Sequence, residues 1–123
     1  MTDDARQRGL DRMNEVYGWE MVEQPGDFFG LTVEHLFGNI WNREGLSVRD
    51  RRLLAIGLLV GHGMFDLIDV QFDSALRLGE LDEKSLREIV IFMAHYAGWP
   101  KAAQLNGQVE GLLARRTSDG PST

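Results

Sequence analysis

The chain has 123 residues, of which 43% are hydrophobic and 26% charged, and its formal net charge is −6 at pH 7. This length and composition predict one globular domain that can bury its own core. Because there is no cysteine, disulfides, thiolate zinc sites and cysteine nucleophiles are excluded. The acidic balance argues against a nucleic-acid-binding protein, which needs a basic face.

The hydrophobic segments are too short for a membrane protein. The longest apolar run, residues 53–60, is far shorter than the roughly 20 residues that span a bilayer. The N-terminal sequence MTDDARQRGLDR has no apolar segment typical of a secretory signal. We therefore expect a cytoplasmic protein with no membrane partner.

The first half of the chain predicts two helices. Residues 3–17 carry an apolar stripe of helical period and end at Gly18. A second helix is predicted from near Asp27 or Leu31 to about Trp41, after the Pro25-Gly26 turn. Its expected buried stripe consists of Leu31, Leu36, Phe37 and Ile40.

Four further helices follow, and no segment predicts a strand. Ser47 is the expected N-cap of a helix over residues 48–60, which is apolar nearly all round after Arg52 and thus typical of a core or a subunit interface. The next helices are predicted over about 64–78 and, capped by Asp82, over 83–97; Pro100 opens the last. The sequence predicts one all-α domain of about six helices over residues 1–116 and a disordered tail over 117–123.

Gln71 is the one polar member of an apolar helical stripe. A buried amide without partners costs about 1–3 kcal/mol. It is therefore either a core glutamine bonded to a neighbouring helix or a pocket group that holds a substrate carbonyl or carboxylate.

His95 follows the apolar run 89–94 and precedes Tyr96. We expect it at a core edge or a subunit contact, either as a structural histidine or as a general acid/base, with Tyr96 donating into the same space. His35, His62 and His95 are too far apart in the sequence for a metal-binding pair, so no metal site is predicted.

Four arginines surround the start of the central helix. They form either a solvated face or a site with one inward guanidinium that binds a substrate carboxylate through two hydrogen bonds. Arg51 and Arg52 are the expected ligands because they adjoin the apolar run. If a small anion binds, we expect one of these arginines, Gln71 and His95 to line one pocket.

Three blocks resemble the carboxymuconolactone decarboxylase family. Residues 38–47, GNIWNREGLS, are similar to the family segment WGxxWxRxGL. The second block combines RDRRLL at 49–54 with ALRLG at 75–79. The third combines LREI at 86–89 with YAGWP at 96–100, like the family's YAGxP. The resemblance covers roughly residues 9 to 114.

The resemblance implies an alkyl hydroperoxidase D-like helical bundle that assembles as a homotrimer or homohexamer. The activity it implies is the removal of CO2 from 4-carboxymuconolactone in aromatic catabolism, without metal or organic cofactor. Such a reaction needs a carboxylate site and a proton donor. If the chain is such an enzyme, the residue patterns described above favour His95, Gln71 and Tyr96 as its catalytic residues. We expect its substrate-binding residues to be Arg51, Arg52, His35, Trp41 and Asp66.

The sequence departs from this family at one helix. The thiol-dependent branch uses a Glu, a CxxC pair and a His, and these positions here are Arg52, Met64, Leu67 and Gln71. A thiol peroxidase is therefore excluded. Family members often have a histidine four residues before the Ala-Leu of the second block. That position is Gln71 here, and a glutamine side chain cannot shuttle a proton.

Two hypotheses remain. The first is a cofactor-independent lyase acting on a small carboxylated or lactone metabolite, with His95 or His35 replacing the missing proton shuttle. The alternative is an oligomeric scaffold or small-molecule-binding protein that has lost the chemistry.

Overall fold

The computed structural model describes residues 2–119, with side chains described over residues 4–117. These residues form six α-helices and one π-helical segment, and they contain no β-strand. The predicted all-α fold class is confirmed. The α-helices are α1 Thr2–Tyr17, α2 Asp27–Leu31, α3 Val48–His62, α4 Phe65–Arg77, α5 Glu83–Tyr96 and α6 Trp99–Asp119, and the π-helical segment is Thr32–Ile40.

By its internal packing the chain divides into two compact units, one up to Arg51 and one from Arg52 onward. In the described residues no helix has both the length and the apolar character needed to cross a membrane. Helix α6 continues through Thr117, where the polar tail was predicted to begin, to Asp119, and residues 120–123 lie outside the described part.

In the first unit, α1 packs against the π-helical segment. Met13, Val16, Val33 and Phe37 form a small core. The predicted stripe of the second helix is wrong at three positions, because Leu31, Leu36 and Ile40 are exposed. A π-helix has hydrogen bonds from residue i+5 to residue i, as Trp41 N to Leu36 O at 2.9 Å shows. Its wider turn breaks the 3.6-residue period on which the stripe was predicted.

In the second unit, one core joins the helices from α3 to α6. The predicted inward face of α6 is confirmed: Ala102, Leu105, Val109, Leu112 and Leu113 are all buried. The two predicted caps are also confirmed. The Ser47 hydroxyl accepts from Asp50 N at 3.0 Å, and the Asp82 carboxylate accepts from Ser85 N at 2.8 Å. These caps fix where α3 and α5 begin.

Candidate functional site

Arg52 is the most deeply buried charged residue among the described side chains, with 0% of its surface exposed. It lies one and two turns before Ile56 and Val60, on the face of α3 that joins the core. The neighbouring Arg51 is only half-buried and donates to the backbone carbonyls of Arg43 and Leu46. Of the two arginines predicted to bind a carboxylate, Arg52 is the inward one.

The Arg52 guanidinium donates to the side chains of Glu80 and Gln71. Its Nε donates to Glu80 Oε1 at 2.6 Å and its Nη2 donates to Glu80 Oε2 at 3.2 Å. Its Nη1 donates to Gln71 Oε1 at 3.0 Å. All three guanidinium nitrogens therefore have an acceptor, in the two-pronged geometry that arginine makes with carboxylates. We call this set, Arg52, Gln71 and Glu80, the Arg52 cluster.

The end of α4 positions Glu80. Gly79 has a φ of 74°, the left-handed conformation that glycine adopts without strain. The chain therefore turns back, and Glu80 N donates to Ala75 O at 2.9 Å, as in a Schellman cap. The next residue, Leu81, is buried and so anchors the connection in the core. The Glu80 side chain, 18% exposed, then meets Arg52.

Gln71 bonds a neighbouring helix, as one of its two interpretations predicted. Its carbonyl oxygen faces Arg52 on α3, whereas its side-chain nitrogen has no acceptor among the described protein residues. Gln71 is half-buried, so this amide N–H2 group can reach solvent or a ligand. Arg52 orients it by holding the other end of the amide.

His95 and Tyr96 lie on the exposed face of α5, and Tyr96 is 78% exposed. The expected core-edge position of His95 is wrong for the single chain, because the buried residues of this turn are Val90 and Ala94. His95 Nδ1 donates to Ile91 O at 2.9 Å, so Nε2 takes no part in this hydrogen bond. The imidazole also meets the edge of Trp99, with ring centroids 6.1 Å apart.

The other predicted substrate-binding residues are dispersed. His35 is exposed on the π-helical segment, and Trp41 stacks on Phe37 in the first unit's core at 5.5 Å. Asp66 is exposed in the first turn of α4. Among the described contacts, only Arg52 and Gln71 of the predicted site residues touch each other.

Sequence reasoning missed Glu80. A buried arginine needs a carboxylate partner, and an acidic residue directly after the glycine that ends α4 was available as the signal. A separate depression of about 410 Å³ lies beside the α4–α5 connection. Its lining includes Leu76, Leu81, Asp82 and Arg116 and none of the predicted site residues.

Comparisons with known proteins agree with the resemblance in the sequence. The family model described as "Carboxymuconolactone decarboxylase family" matches residues 26–110. A nitrosuccinic acid decarboxylase of Metarhizium robertsii is 29% identical over 106 residues, covering 78% of this chain and 72% of that protein. A 4-carboxymuconolactone decarboxylase of Acinetobacter baylyi is 27% identical over 109 residues, covering 81% of each. No solved structure gives a significant match.

Proposed function

Because the chain belongs to the carboxymuconolactone decarboxylase family, we propose that it is a cofactor-independent decarboxylase of a small carboxylated or lactone metabolite. The observation that carries the proposal is the similarity to two decarboxylases, each over more than three quarters of this chain. The substrates named for them share a carboxylate next to a group that can accept electrons, a nitro group in one and a lactone in the other.

The proposed reaction breaks one carbon–carbon bond. The carboxylate leaves as CO2, and the electron pair of the broken bond stays on the carbon and delocalises into the neighbouring acceptor group. That carbon then takes a proton. The enzyme must therefore bind the carboxylate and stabilise charge on the acceptor group. In the proposed site, Arg52 binds the carboxylate and the free amide N–H2 group of Gln71 donates to the acceptor group.

For the proton donor we propose His95, with Tyr96 beside it and His35 as the alternative. The hydrogen bond from His95 Nδ1 to Ile91 O keeps one proton on Nδ1, so the imidazolium form carries its second proton on Nε2 and delivers it from there, which leaves the neutral ring. Since His95 is exposed in the single chain, this role requires the assembled oligomer to enclose it.

The proposed assembly is a homotrimer or homohexamer. Large apolar side chains stay exposed on both α3 and α5, among them Leu54, Leu58, Ile91 and Phe92. Exposed apolar groups of this size are typical of protein–protein contacts. They support self-association of this chain.

The test is direct measurement of CO2 release from nitrosuccinate and from 4-carboxymuconolactone. We expect turnover of at least one of them, and Arg52→Lys should lower kcat/KM by about a hundredfold, because lysine cannot bind a carboxylate through two parallel hydrogen bonds. The matched control is Arg87→Lys, which alters an exposed ion pair with Glu110. Equal activity of the two variants would contradict the assignment of Arg52.

One observation favours the alternative of a non-catalytic binding protein. The Arg52 guanidinium already has a carboxylate, Glu80, and the position expected to hold a histidine is Gln71, which cannot transfer a proton. In that case the folded wild-type protein would bind small carboxylates without releasing CO2 from them. Binding measured by calorimetry together with a null result in the CO2 assay would establish this alternative.

A further inference from the structure

We propose that Glu80 is a removable occupant of the carboxylate site. In the free protein its carboxylate accepts from Nε and Nη2 of Arg52, the pair of donors that we call the fork. A ligand carboxylate must displace Glu80 from the fork in order to bind. The inference rests on the proposed function for the identity of the ligand, a small carboxylate that carries a second hydrogen-bond acceptor.

The first argument is that a buried cation needs a counter-charge. Arg52 is fully buried, and a buried guanidinium left without a counter-charge is strongly destabilising. The fork therefore needs an anion at all times. Exchange of one carboxylate for another satisfies that need, whereas a neutral ligand of the same shape would leave the charge uncompensated.

The second argument is that the three residues of the Arg52 cluster lie on different kinds of secondary structure. Arg52 and Gln71 lie on α3 and α4, whereas Glu80 lies in the connection between α4 and α5. Its backbone is fixed by the hydrogen bond to Ala75 O, so the exchange is a rotation of the side chain. Of the ion pair only Glu80 is partly exposed to solvent, so rotation of its side chain would open the buried fork from that side.

The third argument is the position of Gln71. Its amide oxygen accepts from Nη1 of the same guanidinium whose Nε and Nη2 donate to Glu80, so its N–H2 group belongs to the same cluster without bonding the Glu80 carboxylate. This amide nitrogen has no acceptor among the described residues. A ligand with a carbonyl, nitro or second carboxylate group near the first would satisfy both groups, and a monocarboxylate would satisfy only Arg52.

The test uses succinate as a non-reacting probe and titrates it into intact protein, with the side-chain Nε–H resonance of Arg52 as the readout. This resonance is assigned by its loss in Arg52→Lys. In wild type we expect a saturable shift. In Glu80→Gln the apparent dissociation constant for succinate should be about tenfold lower, because the internal competitor has lost its charge.

The matched control is Glu110→Gln, which makes the same change in the exposed carboxylate that Arg87 binds in the same two-pronged way. It should leave succinate binding unchanged. An Arg52 resonance unmoved by succinate in both wild type and Glu80→Gln would overturn the proposal. So would equal tightening in the Glu80 and Glu110 variants, which would indicate a general charge effect.

A second measurement needs no ligand of the natural chemistry. In Glu80→Ala the fork lacks its carboxylate, so acetate should bind there and raise the thermal midpoint by about 5 °C over chloride at equal ionic strength. Acetamide should have no such effect, and wild type should respond to neither. Equal midpoints in acetate and chloride would count against exchange. If Glu80→Ala does not fold, Glu80→Gln with the succinate titration decides the matter.

The two proposals fail in different ways. Succinate binding that does not tighten in Glu80→Gln, together with CO2 release by wild type, overturns the exchange and leaves the decarboxylase. Exchange at Arg52 without any CO2 release overturns the decarboxylase and keeps the carboxylate site.

Discussion

Gly9 of α1 lies so close to Val33 of the π-helical segment that a Cβ atom on Gly9 would be 1.8 Å from the Val33 carbonyl oxygen. The same contact recurs one turn earlier on α1, where a Cβ on Gly38 would be 3.2 Å from the carbonyl oxygen of Ala5. The two helices thus cross backbone to backbone, with a glycine on each side. Val33 and Phe37 complete the core around this crossing.

Gly9→Ala should therefore be severely destabilising. The added methyl group meets rigid backbone, which cannot move aside as a flexible side chain can, so we expect a loss of about 3 kcal/mol of unfolding free energy or more. Urea denaturation followed by circular dichroism measures it.

The control for this variant is Gly107→Ala on α6, where the added methyl group meets nothing within 4 Å. Here alanine's higher helix propensity should stabilise the protein by about 0.5–1 kcal/mol. Opposite signs for the two variants are expected, and a destabilising Gly107→Ala of similar size would contradict the explanation.

The ion pair of Arg52 and Glu80 should behave as one unit in a double-mutant cycle. Each of Arg52→Met and Glu80→Leu removes one charge of the buried pair and takes this counter-charge away from the other residue, so each should cost about 3–5 kcal/mol. The double variant removes both charges and should cost clearly less than the sum of the two. If the losses of unfolding free energy measured in urea are additive, the two residues are not coupled.

Sequence patterns predicted the helices of the second unit from the spacing of their apolar residues, and the capping residues Ser47 and Asp82 located the starts of α3 and α5. The π-helical segment escaped prediction because its turn is wider than the period sought, and no residue type in 32–40 distinguishes it. The partner of Arg52 also escaped, because a contact between residues 28 positions apart depends on how α3 and α4 pack. Exposure of His95 was missed because an apolar run does not reveal which of its faces lacks a neighbour.

Asp82 should give the protein a stability that depends on pH in the acid range. The pKa of its carboxyl is lowered, first by the hydrogen bond from Ser85 N and then by the Ser85 side chain. Since the folded-state pKa lies below the unfolded one, this contribution is present above about pH 4 and is lost as the pH falls through the folded pKa.

The variant Asp82→Asn isolates this effect, because asparagine keeps the cap but does not titrate. We expect wild type and Asp82→Asn to converge in urea midpoint as the pH falls toward 2, whereas Asp82→Ala stays below Asp82→Asn throughout. A constant difference between wild type and Asp82→Asn from pH 2 to pH 7 would refute the titration.

The exposed apolar residues of α3 and α5 should hold the proposed oligomer together. Leu58 and Phe92 are 61% and 59% exposed, and a charge at either position would be buried in a subunit contact. Leu58→Glu and Phe92→Glu should therefore shift the mass in light scattering toward the 13.9 kDa of one chain. Ala114→Glu, at an exposed position of α6, is the control and should leave the mass of the wild-type assembly unchanged. A wild-type mass of one chain would refute the assembly.

The length of the short connection between α4 and α5 determines where Glu80 lies relative to Arg52. Its left-handed glycine, the backbone bond of Glu80 to Ala75 and the buried Leu81 together set how far the Glu80 carboxylate extends toward α3. Adding or deleting one residue here would shift that carboxylate relative to a guanidinium fixed in a helix. This connection is therefore unsuited to affinity tags, insertions or new chain termini, and natural length variation at this point would mark relatives whose Arg52 position is served by a different anion.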